Sequence, residues 1–424
     1  MHGKLLVVAG LLAGLSTGCE KTPAPSPAPA APASSPAPQA STVPTSSASA
    51  AEAAGARPAP REGDNAVIIG DRQTLHSKIL GEDRALLVHT PKSYKEGKVA
   101  YPVLYLLDGD DHFHHTTGSA DFLAAVGRAP EMIVVGVPNP EVSRERDLTP
   151  TPAKDKPATG GGDKFLTFLK DEVRPRIEGG YRTAPYRILV GHSLGGLFAL
   201  HALTTAPDTF NAYVVMSPSL WWDDQRLLHG AEKAFASHPG LDAFLYLTTG
   251  SEGGGMLQDV KAFSALLKSK APKGLEWEFK PMDHESHLSL PHRSTYDGLE
   301  RLFAGWEAPP EITTVKALRA HYEALSKKFH FEVKLTENLI NSFAFRVYEK
   351  HKDEAMAAFK LCVELHPESP TAYGTLGQAY GDADQQDLAK ATFEIAVRKA
   401  TETSDPSLAE MKAQLERASK PKTK

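Results

Sequence analysis

The chain has 424 residues, enough for two domains with tails, and 41% of them are apolar, so a large core can be buried. Its 47 basic and 52 acidic residues leave a formal charge of -5 without a basic block interleaved with aromatics, which argues against a nucleic-acid partner. The two cysteines, Cys19 and Cys362, lie in segments of opposite character, which excludes a disulfide framework and a thiolate metal centre.

His2 and Lys4 give a polar start, Leu5 to Leu15 an apolar run too short to span a bilayer, and Ser16-Thr17-Gly18-Cys19 a small-residue exit. Residues 1–19 resemble a bacterial lipoprotein signal with Cys19 as the lipidated residue, although Leu15 stands one place further from the cysteine than is usual. An ordinary cleaved signal peptide with an incidental cysteine is the alternative. Either reading places the protein outside the cytoplasm, as a membrane-anchored lipoprotein or in a periplasmic or extracellular space. Residues 20–63 are almost wholly Pro, Ala and Ser, with Val43 as the only large aliphatic, and cannot build a core. Fully extended at about 3.1 Å per residue they would reach on the order of 100 Å, as a stalk or as a plain solvated linker.

An ordered domain is expected over residues 64–308. Leu75 to Leu80 and Arg84 to Thr90, around Gly81-Glu82-Asp83, predict an antiparallel hairpin. Short β-rich runs follow at Tyr101 to Leu107, Met132 to Val137, Arg187 to Val190, Tyr213 to Met216, Phe244 to Thr248 and Trp277 to Lys280. Between them lie helix-like segments at Ala120 to Val126, Lys164 to Ile177, Gly196 to Thr204, Asp259 to Leu267 and Ser294 to Phe303. That alternation predicts an α/β fold, a mostly parallel sheet with helices on both faces.

After Pro309-Pro310 the pattern becomes helical. A shift of 34 residues pairs Ala355 with Ala389, Phe359 with Phe393 and Cys362 with Ala396, the period of tetratricopeptide repeats, with Tyr373, Leu376, Gly377 and Tyr380 in the second copy. Residues 309–424 are therefore expected to be a small all-α unit that leans on the preceding domain, because two repeats are few for a free-standing solenoid. Cys362 reads as a helix-packing residue.

The chemistry is carried by Gly191-His192-Ser193-Leu194-Gly195-Gly196. A serine hydroxyl is a poor nucleophile near neutral pH and must be held beside a base. Gly-x-Ser-x-Gly presents it on a sharp turn between a strand, here Arg187 to Val190, and a helix, here from Gly196. The acid and the histidine then follow in chain order: Glu252 lies just beyond the Phe244 run, and His287 beyond the next strand. His284 is the rival base, and Asp223, Asp224 and Asp259 are the rival acids. Amides of Leu194 and of Gly109 or Asp110, in the loop after Tyr101 to Leu107, would form the oxyanion hole. Asp108 and Asp110 read alternatively as turn residues or a weak calcium site, and no metal site is expected. Trp221 and Trp222 either stack on an aromatic part of a substrate or pack in the core. Arg146, in a Gly/Pro-rich loop, either meets an anionic substrate or pairs internally with Asp147.

The stretches Leu104 to Gly109, Arg146 to Pro150, Gly191 to Gly196 and Ser217 to Trp222, with His287 before an apolar run, resemble the putative esterase (esterase D-like) family of α/β-hydrolases, in its branch of ferric enterobactin and salmochelin esterases. The resemblance implies a serine carboxylic-ester hydrolase without a cofactor, acting on a small-molecule ester such as a siderophore-like or other aromatic ester. Two other readings stay open: a catalytically silent, membrane-tethered binding protein whose repeats recruit a protein partner, and an acyltransferase.

Overall fold

The computed structural model describes residues 67–95 and 99–420; Cys19, the signal-type segment and the Pro/Ala/Ser stretch lie outside the described residues. Eight strands form one sheet: β1 (Asp71–Ser77), β2 (Glu82–His89), β3 (Tyr101–Leu107), β4 (Ile133–Val137), β5 (Thr183–His192), β6 (Ala212–Met216), β7 (Ala243–Gly250) and β8 (Leu275–Met282). Their spatial order is β1-β2-β4-β3-β5-β6-β7-β8, antiparallel up to the β2/β4 pair and parallel from β4 to β8. This is the α/β-hydrolase architecture anticipated from the alternation of apolar runs.

The central parallel strands read as apolar runs because helices cover both faces, whereas the edge strand β8 alternates apolar and charged residues. Every residue of β3, β4 and β6 is buried. Side chains alternate between two cores: Val103, Tyr105, Leu107, Leu189 and Val215 face one, and Leu104, Leu106, Ile188, Val190 and Val214 the other. The first core is closed by α2 (Glu141–Leu148), α3 (Gly162–Phe168), α4 (Arg174–Gly180), α5 (Leu194–Thr205), α6 (Trp222–Ser237) and α7 (Gly255–Lys270). The second is closed by α1 (Gly109–Ala125) and α8 (Leu290–Leu302).

Three local expectations are corrected. The hairpin turns at Lys78–Gly81 rather than at Gly81–Asp83: Gly81 takes φ 78°, and the Lys78 amide donates to the Glu172 carboxylate at 2.8 Å, an anchor 94 residues away that local sequence does not reveal. Gly109 and Asp110 are not in a loop but open α1 directly after Asp108, and Arg144–Leu148 is not in a loop but in α2. Both segments are too polar to show an apolar helical period.

Six further helices follow: α9 (Val315–Lys328), α10 (Glu337–Val347), α11 (Lys352–Leu365), α12 (Pro370–Asp382), α13 (Gln386–Glu402) and α14 (Leu408–Ser419). Thr314, Thr336 and Ser369 cap three of them through side-chain oxygens, and Pro370 opens α12 where its missing N–H is harmless. Ala355, Phe359 and Cys362 on α11 and their counterparts Ala389, Phe393 and Ala396 on α13 are all buried. An aromatic cluster joins these helices to the sheet: Phe329 lies 5.3 Å from Tyr186 of β5, 5.2 Å from Phe303 and 5.8 Å from Trp306. Among the described residues no helix is long and apolar enough to cross a membrane.

Candidate active site

Ser193 occupies the turn between β5 and α5 with φ 58° and ψ -115°, a conformation costly for a side chain with a Cβ and held only by its surroundings. Its amide donates to the Met216 carbonyl at 2.9 Å, and its own carbonyl accepts from the Ser219 amide at 3.0 Å. The turn closes because Gly191 has no side chain: a Cβ there would lie 2.2 Å from the Gly195 carbonyl oxygen. The Ser193 hydroxyl is 3.3 Å from the Ser219 hydroxyl.

Glu252 and His287 come together from the loops after β7 and β8. His287 Nδ1 is 2.9 Å from Glu252 Oε1, which leaves Nε2 as the nitrogen available to the nucleophile. The same Glu252 oxygen accepts from the buried Ser217 hydroxyl, and Oε2 accepts from Thr249 Oγ1 at 2.9 Å. Burial works against the charge on Glu252, but the hydrogen bonds from His287, Ser217 and Thr249 outweigh it and hold the carboxyl down at about 2. Hydrogen bonds to ionised groups of this kind are the strong ones. The rival groups are elsewhere: Asp259 sits within α7 and accepts from Gln225 at 3.0 Å, and Asp223 lies 3.8 Å from Arg226.

Leu194 and Gly109 are the first residues of α5 and α1, so their amides, and that of Asp110 one place on, have no intrahelical carbonyl to bond and point out of positive helix ends. Asp108, at φ 50°, precedes Gly109. Its carboxylate is held by two bonds of 2.8 Å from Arg144 and is committed to that ion pair. A Cβ on Gly195 would lie 3.3 Å from Asp108 Oδ2, so this pair sits directly against the first turn of α5. Among the described residues no group of three or more His, Cys, Asp or Glu could hold a metal ion.

The candidate pocket residues divide. Arg146 is turned away from a ligand role: Nε bonds Asp147 at 2.8 Å and both terminal nitrogens bond Glu82, at 3.1 and 2.7 Å, so all its donor nitrogens are engaged inside the protein. Trp222 is buried and donates to the Thr151 carbonyl at 2.9 Å, a packing role, whereas Trp221 is 48% exposed beside it. Sequence reasoning did not single out Ser217, Ser219 or Thr249 as partners of the triad. Thr249 had one readable signal, a hydroxyl at the end of the strand that carries the acid.

His192 is the other addition. Its ring is buried and lies 4.4 Å, centroid to centroid, from that of His287. Beyond it His112 lies 5.8 Å away, and His112 Nδ1 is 3.1 Å from His115 Nε2. Burial, reinforced by the neighbouring imidazoles, pushes His192 down to about 3 and His115 to about 4.

A serine on a strand-to-helix elbow, an acid-oriented histidine and two helix-end amides define the site of the α/β-hydrolase class. Residues 77–276 match the family described as Putative esterase, a match that contains Ser193 and Glu252 and ends before His287, whose place comes from the geometry. The chain is 36% identical over 168 residues to the siderophore triacetylfusarinine C esterase of Aspergillus fumigatus, covering 37% of this chain and 57% of that protein. It is 34% identical over 150 residues to the ferri-bacillibactin esterase BesA of Bacillus subtilis, covering 30% of this chain and 51% of the relative. The chain thus spans about half the length of these curated relatives. The crystal structure of an IroE-like serine hydrolase from Shewanella oneidensis superposes with a TM-score of 0.60 at 29% identity, over 68% of this chain and 98% of that one.

Proposed function

We propose that the protein is a serine carboxylic-ester hydrolase acting through an acyl-enzyme on Ser193. The observation that carries this reading is the 2.9 Å Glu252–His287 contact, made beside a serine held on a strained elbow. The Ser193 hydroxyl swings from Ser219 to His287, gives its proton to Nε2, and Oγ attacks the ester carbonyl. The oxyanion that forms is stabilised by the amides of Leu194 and of Gly109 or Asp110. His287 returns the proton to the departing alkoxide. Water then attacks the acyl-enzyme by the same route, releasing the acid and restoring Ser193.

The relatives' names point to siderophore esters as the substrate class, and Trp221 is the exposed ring available to stack on an aromatic portion. Residues 64–308 would be the catalytic domain and 309–424 a tetratricopeptide-like unit able to hold a protein partner, with export and lipidation at Cys19 placing the enzyme at a membrane.

Purified protein should hydrolyse activated esters and label with a fluorophosphonate, and Ser193→Ala should abolish both. Equal turnover by Ser193→Ala would refute the assignment. Good turnover of simple esters with none on cyclic catecholate triesters would remove the siderophore class alone.

A further inference from the structure

We propose that His192 is a positioning residue: its ring is the platform that sets the angle at which His287 meets Ser193. The inference rests on the reading of Ser193, Glu252 and His287 given above and extends it to a residue outside the triad.

Glu252 holds His287 at one point only, Nδ1. A ring held by one hydrogen bond can still swing about it, and a swing moves Nε2, the atom that must reach the serine proton. The loop backbone is fixed, with the Ser251 amide donating to the Glu285 carbonyl at 2.8 Å and the Leu290 amide to the Ser286 carbonyl at 3.0 Å, but those bonds do not hold the ring, and the His287 side chain is 30% exposed. A second contact against the ring would limit that swing. His192 provides it, at 4.4 Å and an interplanar angle of 44°.

His192 is suited to the task because it does not move independently of the nucleophile. It is the last residue of β5, paired in register with Met216, and it adjoins Ser193 in the chain. Its ring is only 7% exposed. The base is thereby aligned against the strand that presents the serine, although base and nucleophile are 94 positions apart in the chain.

The platform also has to stay uncharged, because a cation under His287 would oppose the imidazolium formed when the serine proton is taken. The groups facing His192 are His287, His112 and Arg144, and each opposes a positive charge there; the His287 backbone works the other way but does not offset burial. His112 is itself held low by burial, so the neighbour on the far side is neutral as well. Nε2 of His192 is buried without a hydrogen-bond partner, while the ring also interacts with the His287 backbone, so it meets the base through its backbone as well as its ring.

The test compares two substitutions in the full chain that fill similar volume. His192→Phe keeps a flat, neutral ring; His192→Leu does not. On an activated ester, His192→Leu should lose roughly 10- to 100-fold in kcat with KM little changed, the cost of misplacing a reacting group by a fraction of an ångström. His192→Phe should recover most of that loss, and both should melt near the wild-type temperature; His192→Met replaces Leu should the branched chain fail to pack. In the wild type the acid limb of kcat/KM should fall with a slope of one and keep that slope in His192→Phe. Equal rates for Leu, Phe and wild type, equal losses for Leu and Phe, or a slope of two reduced to one by Phe would each overturn the proposal. Ser193→Ala runs alongside: if it stays active the site itself is misassigned, whereas an inactive Ser193→Ala with an indifferent His192 refutes the platform alone.

Discussion

Glu252→Gln preserves shape and removes one charge, and its consequences can be worked from the structure. The carboxyl is held at about 2 against an ordinary 4.5, so the folded protein favours the ionised form by roughly 3 kcal/mol at about 1.4 kcal/mol per pH unit. Because the folded value is the lower one, the unfolded chain takes up the proton first as pH falls. The stabilisation is fully present above about 4.5 and is lost between there and about 2. Urea unfolding at pH 6, 4 and 2.5 should show wild type more stable than Glu252→Gln at pH 6, with the gap narrowing by up to about 3 kcal/mol toward the acid end. Activity should fall further than stability. A glutamine amide that donates to Nδ1 places the His287 proton on Nε2, where the base is needed empty, and loss of the equivalent acid in such triads costs about 10⁴ in kcat. A stability gap that does not change with pH, or a variant within tenfold of wild-type kcat, would refute the role of Glu252 as an ionised orienter.

Gly191→Ala should fail to accumulate as folded protein, since a Cβ would lie 2.2 Å from the Gly195 carbonyl oxygen; soluble expression and circular dichroism report this, and a folded, active variant would show that the elbow can open. Arg146→Met should leave KM unchanged and lower stability by about 1 kcal/mol, because its partner Asp147 keeps Arg84 at 2.5 Å; a large rise in KM would return Arg146 to the pocket. Phe329→Ala should cost about 3–5 kcal/mol and lower the melting temperature of sheet and helices together, since its ring contacts both Tyr186 and Trp306. Calorimetry resolving a separate early transition for the helices would contradict that coupling.

The strands from β3 to β7 were legible because parallel strands covered on both faces have to be apolar runs, the edge strand β8 because Leu275, Trp277 and Phe279 alternate with charged residues, and the elbow because its glycines are sterically compelled. What stayed hidden were segments whose reason for being helical is not apolar. The first turns of α1 carry Asp110, Asp111, His112, His114 and His115, and those of α2 carry Glu141, Arg144 and Glu145; both lie at the site end of the sheet and so escape the hydrophobic period. Helix α6 was missed too. Near its start Asp223, Asp224 and Gln225 have φ of 49°, 51° and 61°, a left-handed run of three where even Asp adopts that conformation only singly. Arg146 was left open between a substrate and Asp147 for a different reason. Its partner Glu82 is 64 residues away, and an arginine in a polar segment carries no mark of whether it faces a ligand or a carboxylate already in the fold.

The chain order Ser, Glu, His follows from how the sheet is wound. Each crossover from β5 onward moves over by one strand, so β5, β6, β7 and β8 are spatial neighbours in chain order and end on one edge. Register then decides which side chains meet. His192 pairs with Met216, Met216 with Thr248, and Gly250 with Met282. Ser193 and Ser217 are each one residue beyond the last β5/β6 pair and Thr249 one residue beyond the last β6/β7 pair, side by side along that edge. Glu252, three residues further, folds back over Ser217 and Thr249 and is held by both hydroxyls. On the proposed mechanism, the strands on the Glu252 side of Ser193 are thereby committed to the acid and the base. Donors for an oxyanion have to come from the nucleophile's own helix end or from the other neighbour, β3, where Gly109 and Asp110 open α1.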